Sequence, residues 1–337
     1  MITKTSTQRF RLTNKNMPTS SLPGARDERS SGAIASELRA GLLGREAAIS
    51  PKFFYDAVGS RLFEAICELP EYYPTRTEAA IAARHGAEIA RAAGPGATLI
   101  DLGAGNCAKA ARLFPLLHPA QYVAIDISAD FLRESIERLQ QRFPHIEMTG
   151  LGLDFSERLD LPGVVRAQKR LFFYPGSSIG NYTPDQARAF LGRLRDQCDD
   201  DGALLIGIDL VKDAATLDAA YDDAIGVTAA FNLNILRHVN QLMGADFNVA
   251  QWRHRGFFNP DESRVEMHLE AREALTVRWP GGERFFTAGE RIHTENSYKY
   301  RQGAAVGLLE QAGFRSVHVW TDPDQWFAVV YARAIPR

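Results

Sequence analysis

The sequence predicts an α/β protein: a mainly parallel sheet with helices on both faces, interrupted by a second unit of α+β character. Three observations predict this. Between residues 97 and 210, short apolar runs alternate with amphipathic segments, as strands and crossover helices do. After Leu210 the alternation gives way to a helical stretch and then to a strand-like stretch that lasts to about Tyr300. Beyond Tyr300 the strand and helix texture resumes.

Residues 1–30 are polar, rich in Ser, Thr and Arg, and lack the apolar centre of a secretory signal; a disordered tail is expected there. Residues 36–69 read as helical, with "ELRAGLL" and "GSRLFEAICEL" as amphipathic pieces. "EYYPTRTE", residues 71–78, breaks both the helical and the strand period and reads as a loop. The helix "TRTEAAIAARHGAEIARAAG" follows, with Thr75 or Thr77 as its cap and Gly94–Pro95 as its stop.

"ATLIDLGAG" reads as a buried strand running into a glycine turn, and "YVAIDIS", "HIEMTGLGLDF", "KRLFFYPGSSIGN" and "GALLIGIDL" as four more strands with helices between them. "DAATLDAAYDDAIGVTAAFNLNILRHVNQLMG" is one or two helices, and "SVHVWTDPDQWFAVVYARA" an antiparallel hairpin closing the sheet edge. The expected division is a tail over 1–30, a second domain from 31–77 and 212–300, and a sheet domain from 78–211 and 301–337.

With 337 residues, 45% hydrophobic and 24% charged, the chain has the composition of an ordinary globular protein. A net charge of -2 gives no field for gripping a polyanion, so no nucleic-acid partner is expected. No apolar run reaches the length of a membrane span. Cys67, Cys107 and Cys198 are widely spaced and odd in number, a reduced pattern that points to the cytoplasm. The eight histidines show no metal-ligand spacing, so no metal is expected. A monomer acting on a small molecule is the expected form.

"DLGAGNCAK" begins at Asp101. Gly103 and Gly105 let the backbone turn tightly and approach a ligand. With Ala108 the turn also satisfies the dinucleotide pattern, and Asp126 is spaced for a ribose contact, so NAD competes here. Charge separates the two. A pyrophosphate on this turn would be repelled by Asp101, whereas the ammonium and sulfonium of S-adenosylmethionine would be attracted. Asp126 suits the ribose hydroxyls, and Asp154 with the amide of Phe155 suits an adenine. The antiparallel ending resembles the sheet of a class I (Rossmann-like) S-adenosylmethionine-dependent methyltransferase.

Longer segments are more specific. "FFYDAVGSRLFEAICELPEYYPTRTEAAI", "DLGAGNCAK", "FFYPGSSIGNYTP", "AYDDAIGVTAAFNLNILRHVN" and "ERIHTENSYKY" resemble, in order, the histidine Nα-methyltransferases of the ergothioneine pathway. The resemblance implies a class I methyltransferase domain with a discontinuous α+β substrate domain, and trimethylation of L-histidine to hercynine by S-adenosylmethionine. It implies Gly103, Lys109, Asp126, Asp154 and Phe155 at the cofactor. It also implies Tyr55, Tyr72, Asn181, Tyr221, Met267, Glu295 and Ser297 at the substrate, with Tyr55 and the Gly176 carbonyl orienting the amine. Tyr73 is expected to pack. Asn296 departs from the aliphatic residue expected beside Glu295. Tryptophan or another amino acid as substrate, and a non-catalytic S-adenosylmethionine-binding regulator, are the rival readings.

Overall fold

The computed structural model describes residues 8–11, 28–156 and 158–335. They fall into two compact units, 8–11 with 73–212 and 298–335, and 28–72 with 213–297.

The first unit is built on eight strands: β1 (Gln8–Arg11), β2 (Thr98–Leu102), β3 (Gln121–Asp126), β4 (Glu147–Gly152), β5 (Arg170–Tyr174), β6 (Ala203–Asp209), β7 (Phe314–Thr321) and β8 (Phe327–Ala334). Their order across the sheet is β1-β4-β3-β2-β5-β6-β8-β7. The five strands from β2 to β6 run parallel. β8 pairs antiparallel with both β6 and β7, so the expected hairpin does close the edge, its second strand lying inward of its first.

Alternate residues of the buried strands feed two cores. Ile100, Leu102, Val123 and Ile125 pack with Phe190, Leu191, Leu308 and Leu309. Leu99, Tyr122 and Ala124 pack with Ile81, Ile89, Phe114, Leu132 and Ile136. The helices that cover the faces are α1 (Tyr73–Ala93), α2 (Ala108–Leu117), α3 (Ala129–Arg142), α4 (Pro184–Asp196) and α5 (Gln302–Gln311). Helix α4 starts as its sequence directs: Thr183 and Gln186 form a reciprocal capping box, with Pro184 at the first position.

The second unit holds helices Glu28–Leu43, Ala57–Cys67, Ala214–Tyr221 and Val227–Met243. Its four-stranded sheet has the order Ala47–Ala48, Arg291–Tyr298, Arg264–Ala271, Trp252–Asn259, and a separate hairpin joins Leu275–Trp279 to Gly282–Phe286.

Several expectations are corrected. The tail over 1–30 contains β1, which pairs antiparallel with β4, and a helix begins at Glu28; residues 1–7 and 12–27 lie outside the described residues. The helical stretch over 36–69 is broken after Leu43 by Gly44 and by the short helical turn that starts at Pro51. "EYYPTRTE" is not a loop throughout, because α1 begins at Tyr73 and places Thr75 and Thr77 inside the helix. The units change over at Tyr73 and Tyr298 rather than at residues 78 and 301.

The physical reason is one buried carboxylate. Asp209, fully buried at the end of β6, accepts the Tyr73 hydroxyl and pairs with Lys212 at 2.7 Å and Lys299 at 2.8 Å. Burial works against its charge, yet the two ammonium groups hold its carboxyl below the ordinary range. Burial pulls Lys212 down to about 8, against the pull of Asp209. Tyr73 packs edge-on against Trp326, with the Lys212 ammonium over its ring.

Removing the Asp209 charge leaves two buried ammonium groups uncompensated. Asp209→Asn should lower the unfolding free energy by about 3–5 kcal/mol, measured by urea denaturation. A loss below about 1 kcal/mol would show that the cluster is not an anchor.

Candidate functional site

In the first unit, β2 delivers Asp101 and the turn that follows it. Asp101 lies near the end of the strand, 1% exposed, as the strand reading of its segment expects. The Tyr122 hydroxyl donates to its Oδ2 at 2.7 Å, and its Oδ1 has no hydrogen-bond partner among the described residues. Burial pushes its carboxyl up to about 7, against the Tyr122 hydrogen bond and the nearby Lys109. Gly103 and Gly105 take positive φ, and Gly103 donates its amide to the Ile125 carbonyl.

Asp126 stands at the end of β3, where its two oxygens accept the amides of Gly105 and Ser128, each at 2.9 Å. Burial raises its carboxyl although those amides oppose the shift. Asp154 is exposed beyond the end of β4 and accepts from the Ser156 amide. Phe155 rests against Tyr174 and Phe190, with its ring tip beside Gly103. Asp101, Gly103, Gly105, Asp126 and Phe155 therefore converge on one turn, with Asp154 at its rim.

Lys109, in the first turn of α2, pairs with Glu78 of α1 at 2.8 Å. Glu78 also accepts the amide of Gly176 at 2.8 Å. Gly176 opens the turn after β5 with φ 78°, and Asn181 ends it in a short helical turn. The Asp209 amide donates to Ser177 Oγ at 2.8 Å, which fixes the middle of that turn.

In the second unit, Tyr55 precedes Asp56, which caps helix Ala57–Cys67 through the Gly59 amide and also accepts from Asn234. Tyr55 meets Phe63 and Phe231 edge-on, and Tyr72 meets Phe63 and Tyr221 likewise. The Tyr72 hydroxyl lies well above the usual phenol range, first through burial and then through neighbouring Tyr221, Cys67, Glu295 and Tyr55. Glu295 and Ser297, two apart on strand Arg291–Tyr298, are 8% and 3% exposed. Ser297 shares a 2.8 Å hydrogen bond with the Tyr221 hydroxyl. Tyr55, Tyr72, Tyr221, Glu295 and Ser297 thus form one buried aromatic and polar cluster, and Met267 is buried on the neighbouring strand.

A supporting network escaped sequence reasoning. His254 Nε2 faces the Tyr221 carbonyl at 2.8 Å, so that nitrogen carries the proton and Nδ1 accepts from Asn232. Asn232 accepts the Thr294 hydroxyl, which lies at hydrogen-bond distance from the Met267 carbonyl too. Burial keeps His254 below its ordinary range, hence neutral. The chain Tyr221–His254–Asn232–Thr294 ties the residue before Glu295 to the residue that pairs with Ser297. Asn296, the departure from expectation, bonds His293 at 2.9 Å. Glu78 also went unread, since an acid in "TRTEAA" looks like a solvated helix residue. Gly207, in the middle of fully buried β6, was the available signal, because a glycine inside a strand marks a close approach.

The sheet order, the antiparallel closing hairpin and the acidic glycine turn define a class I S-adenosylmethionine-dependent methyltransferase. Over residues 34–334 the chain matches the family model described as histidine-specific, S-adenosylmethionine-dependent methyltransferase, and it belongs to that family. Histidine N-alpha-methyltransferase of Mycolicibacterium smegmatis is 43% identical, over 89% of this chain and 94% of that one. Its namesake from Mycobacterium tuberculosis is 39% identical over 86% and 91%. Ergothioneine biosynthesis protein 1 of Neurospora crassa is 33% identical over 81% of this chain and 32% of that longer protein. Among the described residues, no group of three or more His, Cys, Asp or Glu could hold a metal ion, and no helix is long and apolar enough to cross a membrane.

The residues present fit S-adenosylmethionine: the unpartnered Asp101 oxygen suits a cation, and the Asp126 carboxylate suits a diol. The pH dependence follows from Asp101. Its folded pKa of about 7 lies above the ordinary 3.8, so its contribution to stability is present below pH 3.8 and is lost as pH rises through 7. A cation at Oδ1 favours the carboxylate, so binding releases a proton at and below neutral pH. S-adenosylhomocysteine affinity should therefore rise several-fold from about pH 6 to about pH 8, with calorimetric heats that depend on buffer ionisation. Asp101→Asn should bind weakly and without that dependence. A wild-type affinity flat across this range would remove Asp101 from the cofactor.

Proposed function

We propose that the chain transfers methyl groups from S-adenosylmethionine to the α-amino nitrogen of L-histidine three times, forming hercynine, the first step of ergothioneine biosynthesis. The observation that carries the reading is the buried cluster of Tyr55, Tyr72 and Tyr221 with Glu295 and Ser297, within a chain of the histidine-specific family. A neutral imidazole needs one acceptor and one donor, and Glu295 with Ser297 offers a carboxylate and a hydroxyl on one strand. The unit of 28–72 and 213–297 is the substrate domain, and the sheet unit is the methyltransferase domain.

Bound S-adenosylmethionine supplies an activated methyl on a sulfonium. Asp101, Gly103, Gly105, Lys109, Asp126, Asp154 and Phe155 hold it. The protein has to position the amine, desolvate it and keep it unprotonated. Tyr55, directly or through water, and the Gly176 carbonyl orient the amine. Asn181 and Tyr221 donate to the substrate carboxylate, while Tyr72 and Met267 bound the side chain. Once two methyls are on, the neutral amine has no proton left to lose, so the last transfer needs room more than a base. The substrates are L-histidine and its mono- and dimethylated forms.

The test is turnover with histidine and tryptophan, read by mass spectrometry of the products. Trimethylated histidine is the expected product; a preference for another amino acid would overturn the assignment. Glu295→Ala should lower kcat/KM for histidine by at least about tenfold, the value of a hydrogen bond to a charged group. It should lower tryptophan turnover less, because indole has no ring acceptor and one N–H. An unchanged histidine-to-tryptophan ratio would mean that Glu295 does not read the side chain. Tyr221→Phe keeps the ring and should weaken histidine binding while leaving S-adenosylhomocysteine affinity within about twofold; an equal loss of both, by calorimetry, would make Tyr221 structural.

A further inference from the structure

Glu78 was absent from the expected site residues, yet two of them meet on its carboxylate. It stands on α1 and is 7% exposed. One oxygen accepts the Gly176 amide and the other the Lys109 ammonium, each at 2.8 Å. Two glycines keep that place open. A Cβ at Gly207 of β6 would lie 2.1 Å from Glu78 Oε1, and a Cβ at Gly176 would lie 2.7 Å from Lys109 Nζ. Either clash would push the pair apart.

A partly buried ion pair adds little to stability, and glycine inside a strand weakens that strand. Both costs are explained if the gain lies in geometry. We infer that Glu78 is a positioning residue that locks the turn 175–181 to the cofactor turn, holding Gly176 through one oxygen and Lys109 through the other. The inference deepens the methyltransferase reading and rests on it.

The two oxygens give separable readouts. Glu78→Gln keeps an acceptor for the Gly176 amide and loses the charge that holds Lys109. Glu78→Ala loses both. With histidine, kcat should fall by roughly a hundredfold in Glu78→Ala, and Glu78→Gln should restore about tenfold of it. S-adenosylhomocysteine affinity, by calorimetry, should fall about tenfold in both variants. Lys109→Gln alone should also weaken S-adenosylhomocysteine binding, and the loss in the double variant should be clearly smaller than the sum of the two single losses, because the pair is coupled. Thermal unfolding of each variant shows that the fold is kept.

Wild-type S-adenosylhomocysteine affinity in Glu78→Gln, or equal kcat in the Gln and Ala variants, would overturn the inference. If Glu78→Ala fails to fold, Glu78→Gln and its double variant still decide through affinity. Wild-type protein that binds the ligand but does not methylate histidine would overturn the substrate reading alone, since the affinity arm still judges Glu78.

Discussion

The structure depends first on the carboxylate of Asp209. It ends the last parallel strand of the sheet, and it gathers Tyr73, Lys212 and Lys299 around itself without exposure to water. Those three residues stand at or beside three of the points where the chain changes from one compact unit to the other. A buried carboxylate with two ammonium partners is tolerable only while all of them stay in place. The cluster therefore fixes where α1 starts, where the inserted segment leaves and where it comes back.

In each unit, the candidate residues use burial as their chemical tool. Asp101, Asp126 and Tyr72 are all displaced toward their protonated forms, and in each case burial is the largest cause. Placing a carboxyl where it is reluctant to ionise makes it receptive to a cation. Placing phenols where they cannot ionise leaves them as donors and as walls. Methyl transfer from a sulfonium suits such surroundings, because it asks for orientation and dryness more than for a strong base.

The fold was largely legible in the sequence, and for a local reason. Each strand from β2 to β6 is a short apolar run bounded by glycine or polar turns, so its period and length declare it. In the second unit the two amphipathic pieces within 36–69 were legible and lie in helices, while the break between them at Gly44 and Pro51 was not. The start of α1 was missed because Tyr73 is fixed by Asp209, 136 residues away, and no local cap records a long-range bond. In the site, Asp101 was visible as an acid at the end of a buried strand, beside a glycine turn. His254, Asn232 and Thr294 looked like unrelated polar residues, because their spacing in sequence carries no period. Glu78 was hidden for the same reason.

The backbone bridge between Leu210 and Tyr300 runs parallel and isolated, and it sets the departure and the return of the 213–297 segment side by side. An insertion whose two ends lie together leaves the register of the host strands untouched when its own length or sequence changes. Loop closure adds little cost as such a segment grows. The host sheet can then keep its glycine turn while the inserted segment changes. Recombination at this one junction would exchange the inserted segment without redesign of the host sheet.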